Sequence, residues 1–149
     1  LDESLPDPVN QRDFFSSYKD LAIRFMENAE VIIARDKTGD LAGCAVVYID
    51  PERYSHGYEA YIGVRESFKR QGVGRKLTEH EFKLCHKKGM SRLMTNCNPN
   101  NTAKINMNLS SGYKQITDDR EIADYLALNE KWSGKIFFVI DHPNAPTSM

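Results

Sequence analysis

The densest chemical signal in the chain is the run Tyr61-Ile62-Gly63-Val64-Arg65-Glu66-Ser67-Phe68-Lys69-Arg70-Gln71-Gly72-Val73-Gly74-Arg75-Lys76-Leu77. An apolar stretch ends at Val64, a basic loop with glycines follows, and an amphipathic helical pattern begins at its far end. The first N–H groups of a helix have no partner inside it, and glycine lets an anion approach the backbone closely, so the loop is a candidate phosphate cradle. Lys69, Arg70, Arg75 and Lys76 add positive charge. Between Arg65 and Arg92 nine cations stand against three anions, a local excess of six in a chain whose formal net charge is −1. The pair Gly72 and Gly74 is equally consistent with an ordinary helix start, and dispersed Lys and Arg with an ordinary solvated face. Two phosphate loops are excluded: GxxxxGK[ST] does not occur, and Leu77 stands where a dinucleotide-binding fingerprint needs its third glycine.

The elements that must position this loop are legible around it. Asn10 to Asn28 carries Phe14, Tyr18, Leu21, Ala22, Phe25 and Met26 at spacings of three and four, the pattern of an amphipathic helix. Glu30 to Asp36 and Leu41 to Asp50 are β-branched and apolar, and Lys37-Thr38-Gly39-Asp40 between them is turn chemistry, so they read as a hairpin. Tyr58 to Val64 is a third strand. Gln71 to Lys88 is a helix stopped by Gly89. Ser91 to Asn96 is a strand. Pro99 to Ser111 is a helix opened by Asn100 or Asn101 and closed by Gly112. Tyr113 to Ile116 is a short strand, Glu121 to Lys131 a helix and Lys135 to Asp141 a final strand, with a loose tail over 143–149. This order predicts an α/β (α+β) domain, a mixed central sheet with helices on its faces.

Length and composition agree with that class. The chain has 149 residues, 40% hydrophobic and 28% charged, which fits a single soluble domain over 1–149 and excludes collagen-like, disordered and disulfide-scaffold classes. Near-neutral net charge gives no general reason to bind nucleic acid or an anionic membrane, and the apolar runs Cys44 to Ile49 and Ile136 to Ile140 are too short to span a bilayer. Cys44, Cys85 and Cys97 lack metal-type spacing and read as reduced cytoplasmic thiols. His80 and His86, six apart on the predicted helix, do not share a face, so no metal site is expected.

With the loop and its flanking elements in hand, the chain resembles the GNAT (Gcn5-related) N-acetyltransferases. The family's acyl-CoA loop, [Q/R]-x-x-G-x-[G/A] after a strand ending in Val, corresponds to Lys69-Arg70-Gln71-Gly72-Val73-Gly74, with Gly72 eight residues after Val64. Lys69 replaces the usual Arg or Gln and keeps a cation. Downstream, the strand Ser91 to Asn96, Asn101, the helix to Ser111 and the pair Gly112-Tyr113 follow in the family's order. The family's first strand has no counterpart here. The resemblance implies the acyl-CoA N-acyltransferase fold. It implies acetyl-CoA as co-substrate, held in a V-shaped split between Tyr58–Val64 and Ser91–Asn96. Backbone groups of Ile62, Gly63 and Val64 would pair with the pantetheine amides. The N–H groups of Gln71, Gly72, Val73, Gly74 and Arg75 would hold the pyrophosphate, assisted by Lys69 and Arg70, and Asn101 would bind the pantetheine arm.

It also implies direct attack of a neutral amine on the thioester, with a base to take its proton. Glu59 lies on the strand where some relatives carry a catalytic Glu; the plain alternative is a solvated or salt-bridged carboxylate. Strand alternation puts Glu59, Tyr61 and Gly63 on one face, unless a bulge changes the parity. Tyr54, His56 and Tyr61 are candidates for the amine pocket, with ordinary surface or strand roles as the alternative. Many members carry a Tyr general acid four residues before the Gly of the Gly-aromatic pair; Asn108 stands there. The expected function is transfer of acetyl from acetyl-CoA to a primary amine, of a small molecule rather than a protein. The alternatives are an acyl-CoA-binding module without turnover and an unrelated nucleotide-binding domain. The free edge of the last strand is a candidate homodimer contact.

Overall fold

A computed structural model describes residues 27–52 and 55–141. Most of the helix read over Asn10 to Asn28, the residue Tyr54 and the tail after Pro143 lie outside the described residues; Glu27 and Asn28 are helical. The elements that follow are β1 (Ala29–Arg35), β2 (Leu41–Tyr48), β3 (Gly57–Val64), α1 (Val73–Lys87), β4 (Arg92–Cys97), α2 (Thr102–Ser110), β5 (Lys114–Gln115), α3 (Asp119–Leu128) and β6 (Ile136–Asp141). Short 3₁₀ turns at Glu66–Phe68 and Glu130–Trp132 complete them.

The strands form one mixed sheet in the order β1-β2-β3-β4-β6-β5. β3 and β4 are parallel, with α1 crossing between them; the β1–β2, β2–β3, β4–β6 and β5–β6 pairs are antiparallel. β6 is therefore hydrogen-bonded on both sides at Phe138 and Val139, and among the described residues the last strand is not the edge of the sheet, contrary to expectation. The two-residue β5 is the edge at that end. The chain returns from α3 into the slot beside β4, which local sequence pattern does not encode.

One apolar cluster, including Val47, Cys85, Leu93, Tyr113 and Phe138, lies on the face covered by α1 and α2. A second, including Met94, Ile116, Tyr125, Phe137 and Val139, lies on the face covered by α3. Alternate residues of β4 thus feed opposite cores, as strand pleating requires. Two of the three helices, α2 and α3, begin where a side chain caps their first N–H groups. Asn101 Oδ1 accepts from the Lys104 N–H at 3.1 Å for α2, and Asp118 Oδ1 accepts from the Arg120 and Glu121 N–H groups at 2.8 and 3.3 Å for α3. α1 differs: its cap is Gly72, which has no side chain to offer. β2 and β3 approach so closely that a Cβ on Gly43 would stand 2.6 Å from the Gly63 carbonyl oxygen.

Candidate functional site

β3 and β4 are hydrogen-bonded at one end only. Gly57 pairs with Leu93 and Tyr58 with Met94; beyond those rungs the strands part. At the branching point the Thr95 hydroxyl donates to the Glu59 carbonyl at 3.2 Å, replacing a backbone rung. β3 continues against β2 through Val64, and β4 against β6 through Cys97. The edges of β3 and β4 that face each other across the opening therefore lack a partner strand among the described residues. This is the split that the resemblance implied.

β3 leads from the opening to the basic loop. After the turn at Glu66–Phe68 the backbone passes through Arg70 at φ +64° and Gly72 at φ +82°. The left-handed region is uncommon for a residue with a Cβ, so Arg70 occupies a strained backbone position. The first intrahelical bond of α1 runs from the Lys76 N–H to the Gly72 carbonyl at 3.0 Å. The N–H groups before it have no role in the helix ladder, and no side chain caps them. The space where a Gly72 side chain would begin is empty to 4 Å. Lys69 pairs with Glu66 at 3.0 Å on the surface, a weak contact that an incoming anion can replace. Gln71 Nε2 donates to the Ser67 carbonyl at 3.3 Å, fastening the loop from within. Met107 of α2 packs 3.6 Å from the Gly74 Cβ position, so α1 and α2 meet beside the loop.

Glu59 sits at the branching point, and its environment differs from the strand pattern. Val46 pairs with Tyr61 but Val47 pairs with Glu59, so Ala60 is an extra residue in β3. This bulge overturns the simple alternation: Glu59 turns toward α1 and α2, and Tyr61 and Gly63 face the other side. Glu59 is 2% exposed, so it is not a solvated carboxylate. Lys104 Nζ donates to its Oε1 at 2.5 Å and the Tyr113 hydroxyl to its Oε2 at 3.2 Å. Lys104 Nζ also donates to Asn108 Oδ1 at 2.9 Å. Glu81 of α1 lies against this group, fully buried, and neither of its carboxylate oxygens accepts a hydrogen bond from a described residue. Burial, and then the Glu59 charge, push the Glu81 pKa up to about 12, so it is a neutral acid. Burial also raises the Tyr113 hydroxyl well above its usual range, which keeps it a donor.

Sequence reading missed Lys104, Glu81 and Tyr113 as members of this cluster. One signal was present: Glu81 interrupts the inward stripe Leu77, Glu81, Cys85 at spacings of four, and a charged residue in an apolar stripe needs a partner. For Lys104 the signal is its spacing, three residues after Asn101 and four before Asn108.

His56 belongs elsewhere. It stands at the start of β3, the end remote from the loop, with Nδ1 3.2 Å from the Tyr125 hydroxyl. That hydroxyl accepts from Arg92 Nη1 at 3.3 Å, and Arg92 also grips Asp141 through Nε at 2.5 Å and Nη2 at 3.2 Å. Burial first, and then the Arg92 charge, lower the His56 pKa from 6.5 to about 4. Below pH 6.5 the unfolded chain binds a proton that the folded one refuses until about pH 4, so this site loses stability as pH falls through that window. His56→Gln is expected to flatten the decline of melting temperature between pH 6.5 and 4; a decline parallel to that of the parent would contradict the assignment.

Among the described residues no group of His, Cys, Asp and Glu is arranged to hold a metal ion, and no helix is long and apolar enough to cross a membrane. The model of the Acetyltransferase (GNAT) family matches residues 1–113. The chain belongs to the GNAT acetyltransferase family. Among solved structures, nourseothricin acetyltransferase is 21% identical with a TM-score of 0.60; the match covers 78% of this chain and 66% of that one, just under two thirds. The ribosomal-protein-S18-alanine N-acetyltransferase of Escherichia coli is 20% identical, with coverage of 88% and 80% and a TM-score of 0.58. A Bacillus subtilis acetyltransferase in complex with CoA is 18% identical, with 95% of each chain covered and a TM-score of 0.59. At these identities the structural likeness establishes the GNAT fold. No curated protein matches the chain.

Proposed function

We propose that this GNAT chain binds acetyl-CoA between β3 and β4 and transfers its acetyl group to a primary amine of a small molecule. The observation that carries the reading is one continuous arrangement. Two strand edges open at Glu59 and Thr95, and β3 leads directly to a helix N-terminus with no capping side chain. An extended, amide-bearing arm ending in a pyrophosphate suits those two features in that order. The backbone edge of Ile62, Gly63 and Val64 is matched to the pantetheine amides. The N–H groups from Gln71 to Arg75, with Gly72 and Val73 at their centre and Gly74 allowing close approach, suit the pyrophosphate. Lys69 and Arg70 supply charge. The Oδ1 of Asn101 is committed to its helix cap, which leaves its amide N–H groups for the arm.

In the reaction the neutral amine attacks the thioester carbonyl, and Glu59 takes the amine proton directly or through one water. Tyr61, on the face opposite Glu59, is assigned to the acceptor side. His56, committed to the Tyr125–Arg92 network at the other end of β3, is not carried into this site. The small-molecule acceptor has a counterpart in the nourseothricin enzyme named above.

The test is a thermal-shift titration with acetyl-CoA, NADP and ATP. Acetyl-CoA at 100 times its Kd is expected to stabilise the fold by about 2.7 kcal/mol, and the nucleotides to leave it unchanged. A panel of amines is then screened for release of free CoA. Stabilisation by a nucleotide alone, or by none of the three, overturns the cofactor assignment. Acetyl-CoA binding without release on any amine favours a binding module.

A further inference from the structure

We propose that the amine acceptor carries an aromatic ring and enters the opening from the α3 face, its ring lodging between Tyr61 on one bank and Trp132 on the other. The proposal rests on the acetyl-transfer reading above and adds to it the substrate class and the residues that select it.

Direction of entry is the first argument. The opening between β3 and β4 has two faces. On the face covered by α1 and α2, Glu59, Cys97, Asn108 and Tyr113 are buried, and Lys104 bridges Glu59 and Asn108. A ring could enter there only by breaking that packing. On the α3 face Tyr58, Tyr61, Asn96 and Trp132 all stay partly exposed. From that side only the amino group needs to pass between the strand edges to meet the thioester.

Shape is the second argument. Tyr58 stands on the last rung that β3 shares with β4, at the apex of the opening, and packs against the second apolar cluster. On the β3 bank Tyr61 leans along its own strand. A Cβ on Gly63 would overlap the Tyr61 hydroxyl and stand 2.8 Å from its Cζ, so the glycine at 63 is what gives this ring its place. On the β4 bank Asn96 pairs with Phe137 of β6, and Trp132 stands edge-on to Phe137 with ring centroids 6.2 Å apart. The Trp132 ring reaches from there to Tyr58, at 5.1 Å. Rings therefore line the apex and both banks.

Chemistry is the third argument. Aromatic rings gain more from offset or edge-to-face contact with another ring than from the apolar area alone. A flat ring between Tyr61 and Trp132 makes such contacts on both sides, and an aliphatic chain makes neither. The short turn that carries Trp132 also holds Glu130 and Lys131, whose opposite charges cancel, so it offers no net charge to draw a polycation.

The experiment uses the full chain, whose single tryptophan is Trp132, so tryptophan emission reports on this entrance directly. Calorimetric titration with CoA comes first: absence of binding defeats the cofactor reading itself, separately from the acceptor class. With CoA bound, phenethylamine is then titrated against the emission, and n-butylamine and spermidine compete with it. Phenethylamine is expected to change the emission saturably, and the two competitors to displace it only at concentrations roughly tenfold higher or more. Tyr61→Leu is expected to raise the phenethylamine Kd about tenfold and Tyr61→Phe to keep it within about threefold, both with CoA affinity close to that of the parent. Emission that phenethylamine leaves unchanged, displacement by n-butylamine or spermidine at equal concentration, or parent affinity in Tyr61→Leu overturns the aromatic-acceptor assignment.

Discussion

Gly72→Glu is expected to weaken acetyl-CoA binding at least a hundredfold while the protein remains folded. Nothing lies within 4 Å of the Gly72 Cβ position, so the side chain has room. The backbone there is at φ +82°, which costs a residue with a Cβ about 1–2 kcal/mol, within the margin of an ordinary domain. The carboxylate would stand at the uncapped start of α1, where the helix dipole draws it into the place assigned to the pyrophosphate. Like charge placed against like at a binding site costs several kcal/mol, and a hundredfold in Kd is about 2.7 kcal/mol. Gly72→Asn separates charge from shape, because Asn accepts left-handed backbone and is neutral. It is expected to weaken binding no more than about tenfold. Calorimetry with acetyl-CoA reads both variants; equal affinities for Glu and Asn would remove the loop from the cofactor site.

The second large effect is on stability. Glu81 is buried against Glu59, and burial first, then the Glu59 charge, raise its pKa in the folded state far above the ordinary value of 4.5 that holds in the unfolded chain. The folded state therefore holds the extra proton across that window, and stability falls as pH rises through it, by at most about 1.4 kcal/mol per pH unit. Glu81→Gln keeps the shape and removes the titration. The variant is expected to be more stable than the parent at pH 7, and its advantage to grow by roughly 2 kcal/mol between pH 7 and 9. The sign holds whichever of the two carboxyls carries the proton, because only one ammonium, Lys104, is there to balance them. Denaturant unfolding at pH 6, 7, 8 and 9 makes the measurement; parallel pH profiles for parent and variant would show that Glu81 ionises in the fold.

These two effects differ in how far the sequence announced them. The loop was legible because its chemistry is local. Val64, Lys69, Arg70, Gly72 and Gly74 stand in one short stretch, and a strand, a turn and a helix start can be read from periodicity and glycine. The caps were legible for the same reason: Asn101, one of the two residues read as the opener, caps α2, and Gly89 and Gly112 follow the helices they close. Element boundaries moved by only a residue or a few, as at β3, which begins at Gly57, and α1, which begins at Val73. Glu81 was visible only as an anomaly, a carboxylate in an apolar stripe whose partner could not be named.

Parity along β3 was not legible. Alternation assigns faces by counting, and a single extra residue at Ala60 reverses the count for everything on one side of it. Whether a strand bulges is decided by its register with the neighbouring strand, here Val46 and Val47 of β2. The sheet order was hidden for a related reason. The insertion of β6 between β4 and β5 is a pairing between strands distant in sequence, a property of the assembled sheet.

What the sequence determined by itself was therefore the set of elements, the helix caps, the basic glycine loop and, through their order, the family. Each of these is written in residues within about one turn or one strand of each other. The tertiary structure alone decided that β3 and β4 part at Glu59, and that Glu59 turns inward instead of toward solvent. It alone decided that Lys104, Asn108, Tyr113 and Glu81 close around it from two helices and the segment beyond them. The physical reason is that charge environment depends on which side chains share a desolvated volume. Residues 59, 81, 104 and 113 come to share one only when the β3–α1–β4–α2 path folds back on itself.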